Sequence, residues 1–200
     1  TAAFAIKNDI VVCHDAAYTE LAFDGARPVS FLQAQGAKDI GVEFHSLSKS
    51  FNMAGVRLGF AVGNKKIVKA LETIKSNIDY GSFMPVLQAG AEVLLNSFPT
   101  IHNNQQTYKR RRDIWIDGCS AAGWHIDKPK ATMFVWAKVP TKQDSLSFVI
   151  ELAKNSGVIL VPGVAFGEHG EGYVRIGLVQ KEEVLDEAVK RVCTFLANQD

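Results

Sequence analysis

Short apolar runs that end abruptly in polar residues, alternating with stretches that repeat apolar residues every three or four positions, confine this chain to an α/β fold. Ile10-Val11-Val12-Cys13 runs directly into His14-Asp15. A run of that kind reads as a strand buried on both faces of a parallel sheet. Val42 to Ser46 and Leu58 to Val62 read as two further strands, joined by a polar, small-residue stretch from Leu47 to Arg57. Asn64 is a helix cap, and Ile67, Ala70, Leu71 and Ile74 behind it keep the helical period. Val86 to Leu95 is helical again, and Pro99 to Ala122 is long and polar. In the last third, strands at Met133 to Val139, Val158 to Val161 and Tyr173 to Leu178 alternate with helices. One of these helices carries Leu146, Val149, Ile150 and Ala153. The other, which closes the chain, carries Val184, Leu185, Ala188, Val189, Val192, Cys193 and Leu196. The pattern breaks between Asp79 and Pro85, at Gly81 and Pro85, so the expected domains are 1–82 and 83–200.

Charge and cysteine usage remove several classes of function. Lys plus Arg number 22 and Asp plus Glu 21, a net charge of +1, which suits neither a nucleic-acid binder nor a polybasic membrane protein. No apolar run approaches the roughly 18 residues of a membrane span. Cys13, Cys119 and Cys193 lie far apart with no CxxC pair, and the histidines show no ligand spacing. The expectation is reduced thiols and no metal site, in a cytoplasmic protein. The start at Thr1 has neither an initiator methionine nor a secretory pattern, so the chain is expected to be cut from a longer one.

Several residues are candidates for chemistry, each with a plainer reading when taken alone: Asp15 as a turn or helix cap, Tyr18 as a half-buried core tyrosine, Lys49 as a solvated lysine in a polar loop and Arg175 as an outward strand arginine. Asp15 follows the first strand, and open α/β sheets bind ligands outside the carboxyl ends of their strands. Tyr18, three residues on, can face the same space. Ser46-Leu47-Ser48-Lys49 follows the second strand, with Asn52, Gly55 and Arg57 close behind. Serine hydroxyls and an arginine fork suit phosphate oxygens. A lysine near a second cation and under an apolar ligand loses proton affinity and becomes an imine-forming nucleophile. Arg175 lies in the alternating strand Tyr173-Val174-Arg175-Ile176-Gly177-Leu178, on the face opposite Val174 and Ile176, and suits a carboxylate clamp. Lys109-Arg110-Arg111-Arg112 reads as a solvated helix face.

Three segments, His14-Asp15-Ala16-Ala17-Tyr18, the run from Ser46 through Lys49 and Arg57 to Gly59, and Gly172-Tyr173-Val174-Arg175-Ile176, occur in the order and spacing of one family. The chain resembles the C-terminal half of a fold type I, pyridoxal-phosphate-dependent aminotransferase of class I/II. It is most similar to the bacterial LL-diaminopimelate, alanine and aspartate aminotransferase group, and related enzymes of methionine salvage are also similar. The resemblance implies the tail of the family's PLP-binding large domain, with its mostly parallel sheet, followed by a small C-terminal α/β domain. It implies a transaminase that moves an amino group between an amino acid and a 2-oxo acid through a lysine aldimine, with pyridoxal 5'-phosphate as cofactor and a homodimer as the full-length state. Lys49 matches the catalytic lysine, Asp15 the carboxylate on the pyridine nitrogen and Tyr18 the hydroxyl on the ring oxygen. Ser46, Ser48 and Arg57 match phosphate ligands, and Arg175 matches the clamp on the substrate α-carboxylate. Two other readings share the fold: a PLP-dependent carbon–sulfur lyase, and the aminotransferase-like sensor domain of a transcription regulator.

Overall fold

The computed structural model describes residues 1–199. The chain divides into two compact units, Thr1–Gln105 and a second beginning at Gln106, and each has its own three-stranded sheet.

The first unit opens with helix α1 (Ala2–Lys7) and strand β1 (Val12–Asp15). Helix α2 (Ala37–Ile40), strand β2 (Gly41–Ser46), helix α3 (Leu47–Ser50) and strand β3 (Gly59–Gly63) follow. Helices α4 (Lys65–Ile78) and α5 (Met84–Asn96) complete the named elements before α6 (Phe98–Ala121), within which the division falls. β2 is the centre of the sheet. It pairs parallel with β1, Asp15 facing Phe44, and antiparallel with β3, Ser46 facing Gly59. α4 begins where the sequence marks it, with the Asn64 side chain accepting from the amides of Lys66 (2.9 Å) and Ile67 (3.2 Å).

The first strand departs from its expected position. Ile10 and Val11 are 44% and 55% exposed, because the Ile10 amide donates to the Ala5 carbonyl (2.9 Å) and belongs to the turn that closes α1. The strand therefore starts at Val12 and includes Asp15 as its last residue. Among the described residues it is the outer strand of its sheet, and its exposure alternates. The expected division at 82/83 concerns the family's domains. Within this chain α5 and the first turns of α6 cluster with the first unit, where Leu47, Phe51 and Ile101 form a core with Leu58, Val93 and Leu94 against it.

In the second unit strand β4 (Phe134–Lys138), helix α7 (Ser145–Ser156), strands β5 (Val161–Pro162) and β6 (Tyr173–Gly177) and helix α8 (Glu182–Ala197) follow the rest of α6. The sheet order is β4-β6-β5, all antiparallel. Val135, Ala137, Val174 and Ile176 point into the core against α7 and α8, which contribute Phe148, Leu152, Leu185, Val189, Val192 and Phe195. The expected strand over Val158 to Val161 shrinks to its end. Only Val161 and Pro162 pair with β6, and Ile159 is 81% exposed.

The basic run is also corrected. Four consecutive helical residues cover more than a full turn, so a helix packed on one side must bury part of such a run. Arg112 is fully buried, donating to the Pro129 carbonyl (2.7 Å) and pairing with Asp113 (2.9 Å), a carboxylate shared with Lys128 (2.7 Å). Arg111 donates to the Leu178 carbonyl, and Arg110 pairs with Glu182 (2.9 Å). The run is structural at its end and solvated only in part.

Candidate active site

The lysine turn is built by three short-range devices. Ser46, the last residue of β2, stays extended (φ −132°, ψ 135°), and its Oγ accepts from the Ser48 amide (3.1 Å), starting the single turn of α3. Leu47, 2% exposed, plugs into the core with Phe51 and Ile101, and its amide donates to the Leu58 carbonyl (3.1 Å). Ser48 and Ser50 are buried, and Asn104 donates to the Ser50 carbonyl (2.9 Å). The turn is thus pinned on both sides of Lys49, which is half-buried. The Lys49 ammonium nitrogen lies 5.9 Å from the centroid of the Tyr18 ring.

Asp15 reaches the same end of the sheet from β1. Its carboxylate is exposed and accepts from the Ala17 amide (3.2 Å), an Asx turn that begins the chain's path to Tyr18. Asp15 and Ser46 therefore stand at the carboxyl ends of adjacent parallel strands. Arg57 follows a 3₁₀ turn (Ala54–Val56) in left-handed conformation (φ 58°), and its Nη1 donates to the Ala54 carbonyl (2.8 Å). It is exposed, one residue before the Leu58 carbonyl that holds Leu47. Asp15, Tyr18, Ser46, Ser48, Lys49 and Arg57 all belong to the first unit. By their chemistry, an amine can bind a carbonyl compound covalently, and hydroxyl and guanidinium groups can hold an anion.

A buried carboxylate under this site escapes the motif reading. Glu43, 2% exposed in the middle of β2, accepts from His14 Nδ1 (2.8 Å), Ser30 Oγ (2.9 Å), the Phe31 amide and His45 Nε2 (3.3 Å). Burial pushes its carboxyl up, and the four hydrogen bonds together outweigh this and hold it below the ordinary glutamate value. His14 and His45 immediately precede Asp15 and Ser46, so Glu43 ties together the strand ends that carry them. The available signal was a charged residue inside an apolar strand, which burial permits only when it is paired.

Arg175 lies in the second unit, on the outer face of β6. Its guanidinium carbon is 4.4 Å from the centroids of both Phe134 and Phe166. Trp136 stacks on Tyr173 (5.6 Å, 15°) and meets Phe166 edge-on (5.7 Å, 74°).

The profile of the family described as aminotransferase class I and II matches residues 1–192, and the chain belongs to that family. LL-diaminopimelate aminotransferase of Moorella thermoacetica is 47% identical over 189 residues, which is 94% of this chain and 48% of that protein. The structure of substrate-bound BacF from Bacillus subtilis superposes with a TM-score of 0.91 at 39% identity, covering 96% of this chain and 49% of that one. The aromatic aminotransferase of Pyrococcus horikoshii gives a TM-score of 0.92 at 28% identity, covering 99% of this chain and 54% of that one. The chain spans about half the length of the relatives it matches. Its fold is the corresponding part of a fold type I aminotransferase.

Proposed function

We propose that this chain supplies the lysine-bearing part of a pyridoxal-phosphate-dependent aminotransferase, which moves an amino group between an amino acid and a 2-oxo acid. The observation that carries this reading is the half-buried Lys49 amine over the Tyr18 ring, in the same unit as a carboxylate at the adjacent strand end. Pyridoxal phosphate fits the donor set: an amine for its aldehyde, a carboxylate for its ring nitrogen, and hydroxyl and guanidinium groups for its phosphate. When bound, the cofactor supplies an electron sink that lets the substrate Cα lose its proton.

The protein's residues do the rest. Lys49 holds the cofactor through its Nζ and, when displaced, moves the proton at the substrate Cα. Asp15 keeps the ring nitrogen protonated. Tyr18 donates to the ring oxygen, and Ser46, Ser48 and Arg57 take the phosphate. Arg175 binds the substrate α-carboxylate. In the intact protein we assign residues 1–82 to the large domain and 83–200 to the small one, with a homodimeric, cytoplasmic enzyme as the working state. The names of relatives such as that of Moorella thermoacetica make LL-diaminopimelate the first amino acid to assay.

The test is borohydride reduction of the intact protein loaded with pyridoxal phosphate, followed by peptide mapping. The expected adduct is on Lys49, and Lys49→Ala is expected to remove it and to lower turnover on the order of 10⁴-fold. An adduct on another lysine overturns the assignment. Turnover that needs no 2-oxo acid would instead support lyase chemistry.

A further inference from the structure

Arg175 is half-buried, and among the described residues it makes no side-chain hydrogen bond or ion pair. What touches it is aromatic. Its guanidinium carbon lies 4.4 Å from the Phe134 centroid and 4.4 Å from the Phe166 centroid. A phenyl face attracts the cation through its quadrupole but offers no lone pair. The two rings therefore fix where the charge sits and leave the N–H fork for an oxygen ligand. A planar carboxylate matches that fork with two parallel hydrogen bonds.

The rings reach Arg175 from different supports. Phe134 is the first residue of β4, next to β6. Phe166 is 49% exposed, and burial alone would not hold it. It ends the 3₁₀ turn Gly163–Phe166, in a loop whose backbone folds tightly on itself. A Cβ on Gly163 would lie 2.0 Å from the Gly170 oxygen, and one on Gly170 would lie 2.1 Å from the Gly163 oxygen, so both positions require glycine. Glu171 anchors the loop further, accepting from the Ser145 amide (2.6 Å), the Ser145 hydroxyl (3.0 Å) and the Gly172 amide (2.6 Å). Trp136 then packs edge-on against Phe166 from the sheet side.

We propose that Phe166, with Phe134, is a positioning residue for Arg175: the glycine-pinned loop holds a ring against the guanidinium so that the fork is ordered before a carboxylate arrives. This rests on the reading of Arg175 as the carboxylate clamp. An unrestrained arginine loses much rotamer freedom on binding, and the rings remove part of that cost in advance. The effect belongs to binding and not to the proton transfer.

The experiment uses the intact enzyme and three variants. Phe166→Leu is expected to raise KM for both the amino acid and the 2-oxo acid roughly tenfold, with kcat within about twofold. Phe166→Tyr keeps the ring face and is expected to restore KM. Calorimetric titration with glutarate, which cannot react, is expected to show the same weakening in Phe166→Leu without any turnover. Arg175→Lys separates the two claims, because loss of the fork is expected to raise KM more than loss of the ring. If Arg175→Lys raises KM while Phe166→Leu leaves KM and glutarate binding unchanged, the positioning role is overturned and the clamp stands. If Arg175→Lys changes nothing, the clamp falls and the proposal with it. If Phe166→Tyr behaves as Phe166→Leu, the ring account is overturned.

Discussion

Helices α4 and α8 both carry an apolar stripe and both accompany a three-stranded sheet, yet they end up in different situations. α8 buries Leu185, Val189, Val192 and Phe195. α4 buries none of its residues, and Ile74 and Ile78 are 59% and 74% exposed. The same contrast runs through the two units. In the second, α7 also buries Ser145, Phe148, Val149 and Leu152, and the inner face of its sheet is closed. In the first, α5 buries only Gly90, and β3 is exposed at four of its five positions. The second unit closes a core between its sheet and its helices α7 and α8, although Ile159 and Val179 stay exposed. The first concentrates chemically capable groups at strand ends while leaving apolar surface open. Within these residues the site is held by local devices: the Ser46 cap, the Leu47 plug and the Glu43 network.

The largest effect that tests this contrast is a cavity in the second unit. Phe148 is fully buried and meets Trp124 (5.9 Å, 77°) and Phe195 (6.1 Å, 65°) edge-on. Phe148→Ala is expected to cost about 4 kcal/mol, the range for emptying a packed aromatic site. Denaturant unfolding followed by hydrogen exchange of the α8 amides reads it directly. A cost below about 1 kcal/mol would mean that the second unit is not the self-sufficient one.

Next in size is the buried carboxylate of the first unit. Glu43→Gln leaves a neutral group among donors arranged for an anion, and the expected cost at pH 7 is about 3 kcal/mol. The sign of the pH dependence follows from the lowered folded-state pKa. Glu43 contributes its full stabilisation above its unfolded value, near 4.3, and the contribution is lost as pH falls through the lower folded value. The gap between the parent chain and Glu43→Gln should therefore be wide at neutral pH and narrow in acid. A gap that is unchanged across that range would show that packing, not charge, makes Glu43 necessary.

What the sequence disclosed follows the same division. Where one side of a helix is buried against its own unit, periodicity is informative. The α8 stripe named from spacing includes the buried Leu185, Val189 and Val192. The α7 stripe is displaced: of Leu146, Val149, Ile150 and Ala153 only Val149 is buried, Leu146 and Ile150 are 49% and 45% exposed, and the inward face is carried by Phe148 and Leu152. The Asn64 cap was equally legible, because a cap is local chemistry. Ile10 and Val11 were misread as strand because composition alone cannot register that the Ile10 amide turns back to Ala5. Arg112 was misread as solvated because charge does not reveal a carbonyl acceptor seventeen residues away at Pro129. The residues of the candidate site were named from their places after strands and from motif order; the parallel register of β1 and β2 sets Asp15 and Ser46 at adjacent strand ends, while Arg175 belongs to the second unit. Glu43 shows locally only as a charge inside an apolar strand, and the phenyl rings about Arg175 carry no local pattern. Their partners come from other elements, and only the fold brings those together.

The smallest expected effect concerns α4 itself. In a helix whose apolar stripe is covered, Ile→Ala removes buried methylene groups and leaves a cavity, at about 2–5 kcal/mol. Ile74 in this chain is more than half exposed, so little transfer energy is at stake and no cavity forms. Alanine is also the better helix former. Ile74→Ala is thus expected to change the stability of the chain by less than about 0.5 kcal/mol, and the α4 amides should exchange well before those of α8. Equilibrium unfolding of the 200-residue chain at several concentrations is the measurement. A loss above about 1 kcal/mol that grows with concentration would show the stripe covered in solution by a second copy, and the open face of the first unit would then be an interface.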